Sequence, residues 1–267
     1  MSYIFDQSTA LTRVDDDTYS LNLDARFWNM NSAFGGWVAA ICVAAVEARD
    51  DARGSVITHQ MNFHAGVRDE QLLLRVRCIE RRRSVDFWQV DVCSVAQPTR
   101  ALASASIVCG QHEVSPLEFE QSMPAYRAVA DCIRLPRTES TPSWFDHYEI
   151  RLAKGRPFVD NGVPHSVTYV RESDVRPIDA KALVSIADTP MPRTFFVSDA
   201  MISAATISLS THIYASAGQL SEISDGYVML DTNAAVIRHG FLNQQTAVYR
   251  ADGLLLAMSY QTGRYRQ

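Results

Sequence analysis

The run Asn31-Ser-Ala-Phe-Gly-Gly36, continued by Trp37-Val-Ala-Ala-Ile-Cys-Val-Ala-Ala-Val46, decides the fold. It is too long for one strand, rich in alanine and apolar on every side, which is the pattern of a helix buried all round. Such a helix must be enclosed by other elements. After the charged break 47–54, the segments 55–63, 71–79, 86–95 and 101–108 are each rich in Val, Ile, Leu or aromatic residues and read as strands.

The same order returns further on. Residues 111–145 hold Pro116, Pro124, Pro136 and Pro142 among mixed polar residues, which suits a connector with one helical turn within 123–132. Beyond it, 145–152 and 166–171 read as extended. Pro177-Ile-Asp-Ala-Lys-Ala-Leu-Val-Ser-Ile-Ala187 reads as a helix with its proline in the first turn, stopped by Pro190 and Pro192. Strands follow at 205–215, 227–235, 241–249 and 254–260, the last two joined by the turn Ala251-Asp-Gly253. Val56-Ile57 falls on Thr206-Ile207, 150 positions on, and Leu102-Ala103 on Leu256-Ala257, 154 positions on. Internal duplication explains both offsets.

A central apolar helix buries all its faces only if an antiparallel sheet curls around it. The expectation is an α+β double hotdog, two antiparallel sheets each wrapped around a central helix. Residues 1–115 form the N-terminal hotdog, 116–144 the connector and 145–267 the C-terminal hotdog.

Composition removes several function classes. With 267 residues, 47% apolar and 21% charged, the chain is one large globular domain or two small ones. Lys and Arg number 25 against 30 Asp and Glu, a net charge of −5, so no broad basic field exists to hold a nucleic acid. The longest uncharged run, 27–46, is broken by Asn29, Asn31, Ser32 and two glycines, so no membrane span is expected. Residues 1–10 carry Asp6 and no basic residue ahead of an apolar core, which implies no secretory signal and a cytoplasmic protein. Cys42, Cys78, Cys93, Cys109 and Cys132 are scattered singly, without zinc spacing, and read as reduced thiols. The histidines show no HExxH spacing, Ser208-Leu-Ser-Thr-His212 lacks a Gly-x-Ser-x-Gly elbow, and no glycine-rich phosphate loop or dinucleotide fingerprint occurs. A serine triad, a metal and a cofactor are therefore not expected.

The two copies differ where chemistry could reside. Thr206 stands opposite Val56, Gln261 falls near Ile107, and Asp188 follows a helix whose counterpart has no acid. A carboxylate at a helix C-terminus meets the negative end of the macrodipole, which raises its pKa; burial acts in the same direction. Asp188 reads either as a general base or as a cap on the turn Thr189-Pro190. Gly35 and Gly36 open the first helix, where free N–H groups could stabilise an oxyanion; tight packing is the other reading. Arg81-Arg82-Arg83 lies between two strands, either as a solvated turn or as a phosphate site with Arg83 foremost. Strict alternation places His212 on one face with Thr206, Ser208 and Ser210, lining a pocket or simply exposed.

Asn31-Ser-Ala-Phe-Gly-Gly36, Ile186-Ala-Asp188, Ala205-Thr-Ile207 and Ser259-Tyr-Gln261, in that order, resemble the double-hotdog acyl-CoA thioesterases of the thioesterase II (TesB-like) type over almost the whole chain. The resemblance aligns Asp188, Thr206 and Gln261 with that family's catalytic Asp, Thr and Gln. It implies hydrolysis of acyl-CoA to free acid and coenzyme A by Asp-activated water, with acyl-CoA as the partner. The same fold also suits an acyl-carrier thioesterase, or a dehydratase if His59 or His212 faces Asp188, or an acyl-CoA-binding module without turnover. The outer sheet face and the sheet edges lead to the expectation of a homo-oligomer.

Overall fold

A computed structural model describes residues 2–113, 115–160 and 162–266. The N-terminal half comprises α1 (Ile4–Ser8), β1 (Thr12–Arg13), β2 (Thr18–Asn22), α2 (Gly35–Glu47), β3 (Ser55–Phe63), β4 (Gln71–Arg81), β5 (Val85–Ser94) and β6 (Ala101–Gly110). The linking segment contributes β7 (Ile133–Arg134) and two 3-10 turns, Val129–Asp131 and Ser143–His147. The C-terminal half begins with β8 (Tyr148–Lys154), β9 (Ser166–Glu172), α3 (Ala180–Ile186) and β10 (Ala204–Ile213). It ends with α4 (Ala217–Ser221), β11 (Val228–Asn233), β12 (Ile237–Arg238), β13 (Phe241–Tyr249) and β14 (Leu255–Tyr265).

α2 is the buried helix the sequence demands: from Gly36 to Val46 every residue but Ala44 is buried. Its side chains, Trp37, Val38, Ile41 and Val43 among them, each gain roughly 1.5–3 kcal/mol on leaving water when large. α3 is shorter than expected. It starts at Ala180 because Asp179 caps it, accepting from the Ala182 N–H at 2.9 Å, and Pro177 lies outside.

The described strands form one antiparallel sheet in the order β1-β2-β4-β5-β6-β3-β10-β14-β13-β11-β9-β8-β7, with β12 on β13. The run β2-β4-β5-β6-β3 is repeated in reverse by β10-β14-β13-β11-β9, so each half curls around its own helix and the two sheets share one seam. At that seam β3 pairs with β10, and Gln60 lies opposite Ser210, its own counterpart 150 positions away. A local two-fold axis therefore passes between them. The duplication reaches backbone detail, because β3 shifts register between Val56 and Thr58 just as β10 does between Thr206 and Ser208.

α1, β1, β2 and α4 escape the sequence reading because segments this short carry little periodicity. Phe145, read as the start of a strand, lies instead in a 3-10 turn. The terminal strands β1 and β7 have two residues each, which blunts the free edges of the sheet.

The helices run antiparallel, the start of α2 against the end of α3. A Cβ at Gly36 would lie 2.6 Å from the Ser185 carbonyl oxygen and 2.7 Å from the Phe34 ring. At Gly218 in α4 the nearest atom would be 3.8 Å away. Gly36→Ala is expected to lower stability by about 1–3 kcal/mol and Gly218→Ala to raise it by about 0.5–1 kcal/mol, as read from urea unfolding midpoints.

Candidate active site

Asp188 is set two residues beyond α3, yet its electrostatic partner is the other helix. Phe34, at the N-cap of α2, has no side-chain oxygen and makes no cap hydrogen bond. The Gly36 N–H at the start of that helix lowers the pKa of the Asp188 carboxyl, so a helix start of the N-terminal half favours the charged form of an acid from the C-terminal half. Gly35 makes room for it: a Cβ there would stand 2.7 Å from Asp188 Oδ2 and 3.3 Å from the Phe63 ring. Gln261 Nε2 on β14 donates to Asp188 Oδ1 at 2.5 Å.

Asp188 is half-buried, with protein packed around it and part of its side chain still in contact with solvent. Burial pushes its pKa up to about 7, while the Gly36 N–H and the Gln261 amide pull it down. Of the two expected causes, burial is the one that raises the value, and the start of α2 works against it through the Gly36 N–H. A raised pKa alone does not single out the site, since burial also lifts Glu172 to about 8 and Glu47 to about 7. Neither Glu172 oxygen has a hydrogen-bond partner. Of these three, Asp188 alone combines the shift with a helix start and a side-chain amide.

Thr206 joins this face through the bulge in β10. Gln261 lies opposite Leu209, and Thr206 lies opposite Gly263, so Leu209, Gln261, Gly263 and Thr206 all point inward. Strict alternation would have sent Thr206 outward; Ile207, the extra residue of the bulge, reverses the parity. Thr206 and Gln261 are thereby diagonal neighbours, within about 7–8 Å by sheet geometry.

Two expected participants lie elsewhere. His212 remains on the outer face, where its ring meets Tyr260 edge-on with centroids 6.4 Å apart and its Nδ1 is 3.5 Å from Thr58 Oγ1. The bulge separates it from Thr206, so it does not line the Asp188 site. Arg83 stands in the exposed β4–β5 turn, at the end of the sheet where β3 begins, since Val85 and Ser55 both pair with Gly110. Asp188 faces the other end of β3, nine residues and roughly 30 Å away. At Gly36 the missing side chain lets the helices meet, as the packing reading expects.

His59 is fully buried, with neither ring nitrogen hydrogen-bonded, and burial lowers its pKa to about 4. It does not touch Asp188, so the pairing that dehydration calls for is not formed. Among the described residues no cluster of three His, Cys, Asp or Glu could hold a metal ion. No helix among them is long and apolar enough to cross a membrane. Sequence reading missed Tyr148, whose hydroxyl bonds Ser185 Oγ at 2.8 Å and whose pKa is raised by burial, with the Asp188 charge a lesser contributor. It also missed Gln244, the cross-strand partner of Gln261, although alternation along 241–249 places it inward.

This architecture is that of a double hotdog in which a carboxylate and an amide are hydrogen-bonded to each other, with Thr206 a diagonal neighbour of that amide in the sheet register and no hydrogen bond joining it to either. Comparison with known families agrees: residues 25–110 match the model of the acyl-CoA thioesterase N-terminal domain, and residues 129–265 that of the C-terminal domain. The chain belongs to the acyl-CoA thioesterase family. Among solved structures, a hot dog fold protein of unknown function from Alicyclobacillus acidocaldarius superposes with a TM-score of 0.94 at 23% identity, over 100% of this chain and 99% of that one. The tesB protein of Mycobacterium avium subspecies paratuberculosis gives 0.80 at 12% identity, over 98% of both chains. An acyl-CoA thioesterase II from Mycobacterium marinum gives 0.77 at 16%, again over 98% of both. At these identities the likeness is one of fold. A comparison with proteins of curated function returns no match.

Because Asp188 binds a proton more tightly folded than unfolded, it favours the folded state least at high pH. Its contribution is lost as pH rises from about 4 to about 7 and is constant above that. The Tm of wild type minus that of Asp188→Asn is expected to fall across this window, as followed by thermal melts at fixed ionic strength.

Proposed function

We propose that the protein hydrolyses acyl-CoA thioesters to the carboxylic acid and coenzyme A, with Asp188 as base and Gln261 and Thr206 holding the attacking water. The observation that carries this reading is the Gln261–Asp188 hydrogen bond of 2.5 Å at the start of α2, on a carboxyl poised near pH 7. A group of that pKa both takes and returns a proton at neutral pH.

Water adds to the thioester carbonyl carbon while its proton passes to Asp188. The tetrahedral intermediate then expels the coenzyme A thiolate, and Asp188 returns the proton to the sulfur. No acyl-enzyme forms. The Gly35 N–H, at the first position of α2 and bare of a side chain, is the helix-start donor assigned to the carbonyl oxygen. An amide and a hydroxyl each donate and accept, which lets them fix a water molecule in one orientation. A binding module without turnover has no use for such groups at half-buried positions, where each costs roughly 1–3 kcal/mol if unpaired. The five unpaired cysteines, four of them buried, support a cytoplasmic setting. The broad outer face of the sheet supports a homo-oligomer, which light scattering tests.

Thiol release from a panel of acyl-CoA esters is the direct assay. Asp188→Asn is expected to lose about 10²–10⁴ in kcat with its circular dichroism unchanged; wild-type turnover by that variant sinks the assigned role. The carboxylate is the active form, so kcat should rise through pH about 7 and level off above it.

Gly35→Ala places a methyl against the Asp188 carboxylate. It is expected to cut kcat by about tenfold or more, since misplacing a reacting group by about 1 Å can cost 10²-fold, and to lower the melting temperature, because the carboxylate is displaced from the start of α2.

A further inference from the structure

Arg193 is fully buried, and among the described residues it has no carboxylate partner. Uncompensated burial pulls its pKa down to about 9. Buried cations are ordinarily paired with an acid. Here the guanidinium is held by neutral acceptors. Nε donates to Gln244 Oε1 at 3.0 Å and to the Met191 carbonyl at 3.1 Å. Nη1 donates to Ser166 Oγ at 2.8 Å and to the Thr232 carbonyl at 3.4 Å, and Nη2 to the Met191 carbonyl at 2.5 Å. Its flat face stacks on Phe196 at 4.3 Å.

The contact with Gln244 connects Arg193 to the site. Gln244 is buried on the inward face of β13, directly opposite Gln261 on β14, so their Cβ atoms are about 5 Å apart. Arginine can only donate, so it accepts no approach but that of the carbonyl end of Gln244. This fixes which way the amide is turned and directs its NH₂ away from Arg193. Gln261 is constrained from its other side: it gives its own NH₂ to Asp188, which leaves its carbonyl as the end that can accept.

We propose that Arg193 and Gln244 are positioning residues, the guanidinium orienting the Gln244 amide so that its NH₂ serves the Gln261 carbonyl and keeps the Gln261 donor aimed at Asp188. This deepens the reading of Asp188 as base and rests on it. The competing role is a clamp that only fastens the segment after α3 to β9, β11 and β13. The groups that bear on Asp188 are the Gly36 N–H from α2, Gln261 from β14 and the Tyr148 hydroxyl from β8; Arg193 acts through Gln244.

Two substitutions separate the roles. Gln244→Glu still accepts from Arg193, and more strongly, but has no NH₂ to offer; Gln244→Met is neutral and offers neither end. Both variants are expected to lose about tenfold in kcat with KM within about twofold, the effect of one hydrogen bond missing from the transition state. In both, the Asp188 carboxyl, followed by ¹³C NMR, should titrate at higher pH than in wild type. Gln244→Glu should lose activity even while its Tm matches or exceeds that of wild type. The proposal is overturned if folded Gln244→Met leaves the Asp188 titration unchanged, or if Gln244→Glu keeps wild-type kcat. Because the titration reads Asp188 itself, it decides the matter even if the wild-type protein hydrolyses no acyl-CoA, an outcome that would defeat the functional reading alone.

Discussion

A helix that starts without its own cap is the constraint on which the rest depends. α2 presents Phe34 where a serine or aspartate would normally accept its first amides. Those amides and the positive end of the dipole need an anion, and Asp188 supplies it from the other half of the molecule. The contact can form only because Gly36 lets the two helices close on each other and Gly35 leaves space for the carboxylate. One interaction thus couples the halves, places the acid and sets its chemistry. Burial destabilises the charged form, the helix start stabilises it, and the balance falls near neutral pH.

The duplication explains why the bonded acid and amide stand at one end of a scaffold with two equivalent ends. The bulge occurs in both β3 and β10 and turns the same position inward in each. In the first copy that position is Val56, with Ile107 where the second copy has Gln261. The symmetric end of the seam accordingly holds a cavity of about 420 Å³ that is walled in part by Val56, Ile178, Ile213 and Leu220 and lacks the trio. Glu47 reaches that cavity at the far end of α2, without an amide like Gln261 beside it. Backbone geometry was retained in both copies, while polarity diverged in one.

Much of this was legible in one dimension. An apolar helix without a wet face forces an enclosing sheet, and strands 55–63 and 241–249 end where the composition changes. The misplaced residues share a cause. Counting in twos along the strand puts His212 beside Thr206, and a bulge leaves no mark in residue type. Where the turn that carries Arg83 lies relative to Asp188 depends on strand direction and order, which residue type does not record. Arg193 and Gln244 gave no signal as a pair, since 51 residues of chain separate two side chains 3.0 Å apart.

By itself the sequence determined the duplicated hotdog and the three polar replacements in the later copy, because periodicity and burial are properties of contiguous segments. Tertiary structure alone decided that the start of α2 meets Asp188, that Thr206 faces inward, and that a buried arginine stands behind the Gln261 row. Those outcomes depend on which helix end, strand face and side chain meet across the seam, and such meetings are governed by packing between residues far apart in the chain.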